Sequence, residues 1–229
     1  SQDRLCVAQG DQAQQSAALV RSMFNTDKLG AVIVGVWKSG NPVVVGALGD
    51  SMTDVPATTD MHHRAGNISA ALLTTALLQQ VDAGKLSLTD KLSKWFPQLP
   101  AADQITVDML ARSTSGYNHY PELPAFEKAF YANPFRDWPI DDVIAYGVKG
   151  GPVFPPGTSW KFSDTNLLII AKVLQAATGK PADVLIQDGV LNPLGLKNTT
   201  PPITAALSNP VLHSNTGERG VWEEATFWN

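Results

Sequence analysis

The chain has a single cysteine, Cys6, among 229 residues. An intramolecular disulfide is therefore excluded, and so is a metal site built on clustered cysteines. Cys6 follows Arg4 and Leu5 rather than the small residue that usually precedes a lipid-modified cysteine, and it reads as a tail residue. Positive charge is also scarce. With 17 Lys and Arg against 21 Asp and Glu, the net charge is −4 and the pI about 5.5. No basic field is available to hold nucleic acid or anionic lipid. No apolar run reaches the roughly 18 residues of a membrane span. Ser1-Gln2-Asp3-Arg4 lacks the basic-then-apolar pattern of a secretory signal, which fits an unexported chain or one whose signal has been removed. Internal repeats and low-complexity segments are missing too. What is present is ordinary globular composition, 44% hydrophobic and 17% charged. That excludes a disordered chain, and the length suffices to bury roughly 70% of the unfolded surface.

Residues 11–25 place Ala17, Leu19, Val20, Met23 and Phe24 at amphipathic-helical spacing. Two β-branched runs, 31–38 and 43–48, flank Ser39-Gly40-Asn41-Pro42 and read as a hairpin. Residues 50–62 are polar and loop-like. Ile68 to Val81 is rich in Ala and Leu, with Gly84 placed to end a helix. Lys85 to Asp90 opens another segment, with Thr89 or Asp90 as N-cap, that ends near Pro97 and Pro100. Residues 106–112 suggest a short helix. From Tyr117 to Pro156 the chain is dense in Pro, Gly and aromatics, with short helices expected near 124–132 and 139–147. A helix is expected over 165–178, stopped by Gly179 and Pro181, and another over 182–190, ended by Asn192-Pro193-Leu194-Gly195. The last thirty residues show no clear period. A lone hairpin is marginally stable, so either the helical body covers it or partner strands lie beyond Asn229.

Several motifs stand in a telling order. His63-Arg64-Ala65-Gly66-Asn67-Ile68-Ser69-Ala70 leads into the first long helix. Gly84-Lys85-Leu86-Ser87-Leu88-Thr89-Asp90 follows, then Thr114-Ser115-Gly116, then Pro156-Gly157-Thr158-Ser159-Trp160-Lys161-Phe162-Ser163-Asp164-Thr165-Asn166. Thr178-Gly179-Lys180-Pro181 and Leu191-Asn192-Pro193-Leu194-Gly195-Leu196 come last. Over about residues 10–200 the chain resembles the serine β-lactamase, DD-peptidase and esterase family in its class C-like branch. The resemblance implies an α/β fold, an antiparallel sheet flanked by helices plus a mostly helical region. It implies one domain over residues 1–229, with 10–50 as the sheet part and 55–200 as the helical part. In the family further strands follow the helical region, so the domain is expected to be incomplete at its C-terminus.

The family's chemistry rests on a Ser-x-x-Lys pair, in which serine attacks a carbonyl and lysine helps remove its proton. A Tyr-x-Asn segment supplies a second base and a substrate hydrogen bond, and a Lys/His-Thr-Gly strand closes the other side. Laid on this chain, the serine position is Asn67, the lysine position Ala70, the tyrosine position Phe162 and the asparagine position Asp164. A carboxamide is no nucleophile, a methyl group takes no proton, and a phenyl ring has no hydroxyl. Asn215-Thr216-Gly217 matches part of the Lys/His-Thr-Gly pattern but sits too early. The resemblance therefore implies a catalytically degenerate member with no cofactor, exported to the cell envelope. It would bind a peptidoglycan-like peptide, a lipid or a protein in the former cleft through Asn67, Phe162, Asp164, His119 and Tyr117. The alternative is a working hydrolase, an esterase, β-lactamase or D-aminopeptidase-like enzyme, with a non-standard nucleophile. A third reading is an interaction protein whose cleft is filled.

Other candidates carry less. Ser69 lies about 200° round the helix from Asn67 and is expected to bond backbone. Ser113, Thr114 and Ser115 are expected to fix turns. Ser163-Asp164 is similar to the Ser-Asp-Asn element of class A β-lactamases, but Thr165 holds the third place. His62 and His63 are adjacent and face opposite ways in extended chain, and no His-x-x-x-His or carboxylate cluster supports a metal. The aromatics between Tyr117 and Trp160 read either as a core under irregular loops or as an apolar cleft rim.

Overall fold

The computed structural model describes residues 3–201 and 205–228 and divides into two compact units. The first holds the chain up to Arg64 together with Ala206–Trp228. The second holds Ala65–Ala205.

The first unit is built on an antiparallel sheet, β1 (Cys6–Val7), β3 (Asn41–Met52) and β2 (Ala31–Lys38) in that order, with β4 (Val55–Pro56) also paired to β3. The hairpin turn is tighter than the expected four residues. Ser39 and Gly40 both take positive φ, at 51° and 79°, which is the backbone twist a two-residue hairpin needs. Asn41 therefore already pairs with Lys38. Pro42, which has no N–H for a ladder, sits at the register shift opposite Trp37. Strand β3 also runs past its expected end, through Asp50 and Ser51. These polar residues remain in the strand because their groups find partners: the Asp50 N–H donates to Gly30 O, and the Ser51 hydroxyl donates to Val211 O at 3.0 Å. Helix α1 (Asp11–Thr26) lays buried Ala13 and Ala17 toward β3, small side chains that let helix and sheet approach closely.

The segment without periodicity belongs to this same unit. Val211 bridges to His62 in parallel fashion, and β5 (Asn215–Thr216) pairs with β6 (Glu223–Glu224). The Arg64 guanidinium donates to the carbonyls of Thr226 and Trp228 at 3.3 and 2.9 Å. The ring of His62 meets the Pro210 carbonyl and that of His63 the Arg64 carbonyl, so the two imidazoles part as extended chain requires.

The second unit is helical. Its helices are α2 (Ser69–Asp82), α3 (Val107–Ala111), α4 (Pro124–Ala132), α5 (Ile140–Val148), α6 (Asp164–Thr178) and α7 (Ala182–Ile186). Helix α6 is the axis: Ile169, Ile170, Val173 and Leu174 are fully buried against α2, α3 and α5. The stops lie where small residues predict them. Gly179 takes φ 74° and its N–H returns to Gln175 O, while Thr106 accepts the Met109 N–H to open α3. Gly147 marks a close contact between α5 and α6, since a Cβ there would lie 1.9 Å from the Thr165 hydroxyl oxygen.

Two expectations change here. The segment after Gly84 forms no full helix. The Asp90 carboxylate accepts the Ser87 N–H, and Leu92 N–H donates to Ile105 O, leaving one 3-10 turn at Leu92–Lys94. Helix α7 is α-helical only to Ile186 and continues as a π-turn over Gln187–Leu191, where Gln79 donates to Gly189 O at 2.8 Å. Among the described residues no helix is long and apolar enough to cross a membrane.

Truncating the axis tests this packing. Ile169→Ala is expected to cost about 2–5 kcal/mol, read as a lowered midpoint with unchanged slope in urea unfolding. A change under about 1 kcal/mol would mean that the site is not close-packed.

Candidate functional site

Asn67, Ala70, His119, Phe162 and Asp164 lie in the second unit, on two structural pieces. The first is the 3-10 turn Gly66–Ile68, which runs straight into α2. Asn67 is exposed on that turn and Ala70 is half-buried one turn on. The Ser69 hydroxyl donates to Gly66 O at 2.6 Å, so it is committed to backbone as its position predicts.

The second piece joins the loop after Thr114-Ser115-Gly116 to the start of α6. The Asn118 carbonyl accepts two hydroxyls, Ser163 Oγ at 2.8 Å and Thr165 Oγ1 at 2.6 Å. The Asn118 N–H donates to Gly147 O. Deeper in, the Ser115 hydroxyl donates to Asn166 Oδ1 at 2.7 Å and accepts the Tyr117 N–H at 3.1 Å. Ser115, Ser163, Thr165 and Asn166 are all buried, and every hydroxyl among them already donates to an oxygen.

This clasp brings His119, Phe162 and Asp164 together. The Asp164 N–H donates to His119 Nδ1 at 3.1 Å. That nitrogen is thus the acceptor, and the neutral ring carries its proton on Nε2. Asp164 Oδ2 lies 3.8 Å from the same Nδ1, too far for a hydrogen bond. The side chains of His119 and Asp164 retain 16% and 26% of their exposure, so both are enclosed without being sealed. The His119 ring leans on Phe162 with centroids 5.4 Å apart and on Tyr120 at 6.4 Å. Burial pushes the Asp164 carboxyl above its ordinary value, and positive charge on His119 would draw it back. Burial also raises the Tyr120 hydroxyl, with the Asp164 charge adding to it.

Tyr117 needs correction as a ligand contact. It is fully buried, its hydroxyl donates to Pro100 O at 2.6 Å, and burial raises that hydroxyl far above a free phenol. The physical reason is local. Gly116 turns the chain at φ 86°, and the Tyr117 N–H is tied to Ser115, which sends the ring into the core with its one polar tip satisfied. The other aromatics divide. Tyr120, Trp138 and Tyr146 meet around Phe126 with centroids 4.8 to 5.4 Å away, while Phe135 and Trp160 stand exposed. The Asn118 carbonyl and the Ser115–Asn166 pair escaped the sequence reading. Their one signal was the run of small polar residues over 163–166, which hydrogen-bond to backbone more often than they do chemistry.

Acyl transfer needs a nucleophile with a base in reach. Asn67, Ala70 and Phe162 carry a carboxamide, a methyl and a phenyl group, none of which is a nucleophile or a base. What the cluster offers instead is a half-buried carboxylate, an imidazole with Nε2 as donor, and aromatic surface.

Comparison with known proteins agrees with this geometry. The β-lactamase family model matches residues 16–226. Penicillin-binding protein 4 of Amycolatopsis lactamdurans is 28% identical over 187 residues, covering 77% of this chain and 46% of its own length. The D-stereospecific amidohydrolase of a Streptomyces species superposes with TM-score 0.83 at 24% identity, over 96% of this chain and 66% of that one. The D-amino acid amidase of Ochrobactrum anthropi SV3 gives TM-score 0.79 at 18% identity, over 96% and 62%. At those identities the likeness is one of fold. The chain spans 30% to 46% of the length of the curated relatives it matches.

The raised carboxyl sets a pH dependence of definite sign. Between the ordinary value of 3.8 and the raised one, native Asp164 holds a proton that the unfolded chain has released. Stability from this group therefore falls as pH rises through that window and stays lost above it. Asp164→Asn is expected to melt higher than the parent at neutral pH, and the difference should vanish below the ordinary carboxylate range. Melting temperature against pH for both proteins checks this. A variant less stable at neutral pH would contradict it.

Proposed function

The chain belongs to the β-lactamase family, and on that premise we propose that it is a catalytically degenerate member that binds its ligand without acylating it. One observation carries this reading. Asn67, Ala70 and Phe162 occupy the positions that would supply nucleophile and bases, and the neighbouring hydroxyls of Ser69, Ser115, Ser163 and Thr165 are spent on oxygens of the protein. Loss of a nucleophile together with its base removes most chemical acceleration, while binding survives.

The ligand on this reading is a peptidoglycan-like peptide taken at the former cleft, and the protein is exported to the cell envelope. Support comes from relatives named as a penicillin-binding protein and as D-alanyl-D-alanine carboxypeptidases. Further support comes from the polar and aromatic groups gathered at His119, Phe162 and Asp164.

Intact-mass measurement with a penicillin and with a fluorophosphonate tests the proposal. The expected result is an unmodified mass for folded protein, together with a rise in melting temperature on adding D-alanyl-D-alanine. Ligand at 100 times its Kd should contribute about 2.7 kcal/mol. A stable covalent adduct would overturn the proposal and identify a working nucleophile.

A further inference from the structure

The Asp164 carboxylate is the unspent group of the site. It opens α6, where a first-turn carboxylate commonly accepts backbone N–H groups, yet among the described residues neither a backbone nor a side-chain donor bonds it. The imidazole at 3.8 Å does not neutralise it, because Nδ1 of that ring is occupied by the Asp164 N–H. Ion pairs of Lys and Arg reach Asp3, Asp90, Asp108, Asp141, Asp142 and Glu223, while the basic neighbour of Asp164 is the imidazole of His119. The carboxylate is nevertheless open on one side and has Phe162, Tyr120 and His119 for neighbours. The asparagine that the family pattern has at this position would be uncharged. The aspartate adds a negative charge that, among the described residues, is met by no Lys or Arg ion pair and by no hydrogen-bond donor, with only the imidazole at 3.8 Å and the start of α6 beside it.

We propose that Asp164 recognises an ammonium group of the ligand, so that the site selects peptides or amino-acid derivatives with a free amine. An ammonium supplies the missing countercharge, donates to the carboxylate, and is compatible with aromatic faces that would repel an anion. His119 Nε2 remains a donor for a carbonyl oxygen of the same ligand. This assignment rests on the ligand-binding reading of the site.

Calorimetric titration at neutral pH with D-alanyl-D-alanine and with its N-acetyl derivative separates the two. The free α-amine is protonated there, with an ordinary pKa of about 7.7–8.0, and acetylation removes the charge. The free dipeptide is expected to bind at least roughly tenfold more tightly, as hydrogen bonds between charged groups do. In Asp164→Asn that preference should disappear while acetylated peptide binds as before. Equal binding of both peptides to the parent overturns the ammonium assignment and leaves ligand binding standing. A preference retained in Asp164→Asn also overturns it. Binding of neither peptide, to protein shown folded by circular dichroism, overturns the assignment and the ligand-binding reading together.

Discussion

The carbonyl of Asn118 holds the site in place. It accepts hydroxyls from both Ser163 and Thr165, on either side of the first residue of α6. A single carbonyl oxygen has two lone pairs, and here both are used by buried donors. The consequence is rigid registry between the loop after Gly116 and the start of the helix. His119 follows Asn118 and Asp164 lies between the two hydroxyls, so the imidazole is set against the Asp164 N–H by the same clasp. Gly147 belongs to this arrangement, because its missing side chain lets Thr165 come close and its carbonyl takes the Asn118 N–H.

The same scaffold is held together by buried polar pairs and one tight turn. Ser115 and Asn166 pair in the core, and the turn at Gly116 sends Tyr117 inward. These features hold shape. On the proposed reading, the phenyl ring of Phe162 and the methyl group of Ala70 stand where a phenol and an amine would act. Asp164 brings a carboxylate into the cluster, and its partial burial pushes that carboxyl above the ordinary value.

Much of the helical unit was legible from residue order. The apolar spacing over 68–81 and 165–178, and the glycines after each, place α2 and α6 to within a residue or so. Helix α4 occupies the expected 124–132. These are local properties: periodic burial, caps and a left-handed stop act within a turn or two of the chain. The motifs also identified the family. Other features were not legible because they depend on distant partners. Strand β3 continues through Asp50 and Ser51 since residues 160 positions away satisfy Ser51. The Lys85–Pro97 segment stays non-helical since Ile105 offers Leu92 a carbonyl. The aperiodic stretch after Ala206 joins the first unit through His62 and Arg64.

Sequence alone thus determined most of the helices and the family, because identity and spacing are properties of the chain. Tertiary structure decided which polar groups are spent and which remain. Tyr117 and Asp164 look equally available when read as letters. One ring is enclosed with its hydroxyl bonded to Pro100, and the other side chain is left with a carboxylate that no described donor meets. The difference lies in hydrogen-bond partners far apart in the chain, and only folding brings them within 3 Å or leaves them out.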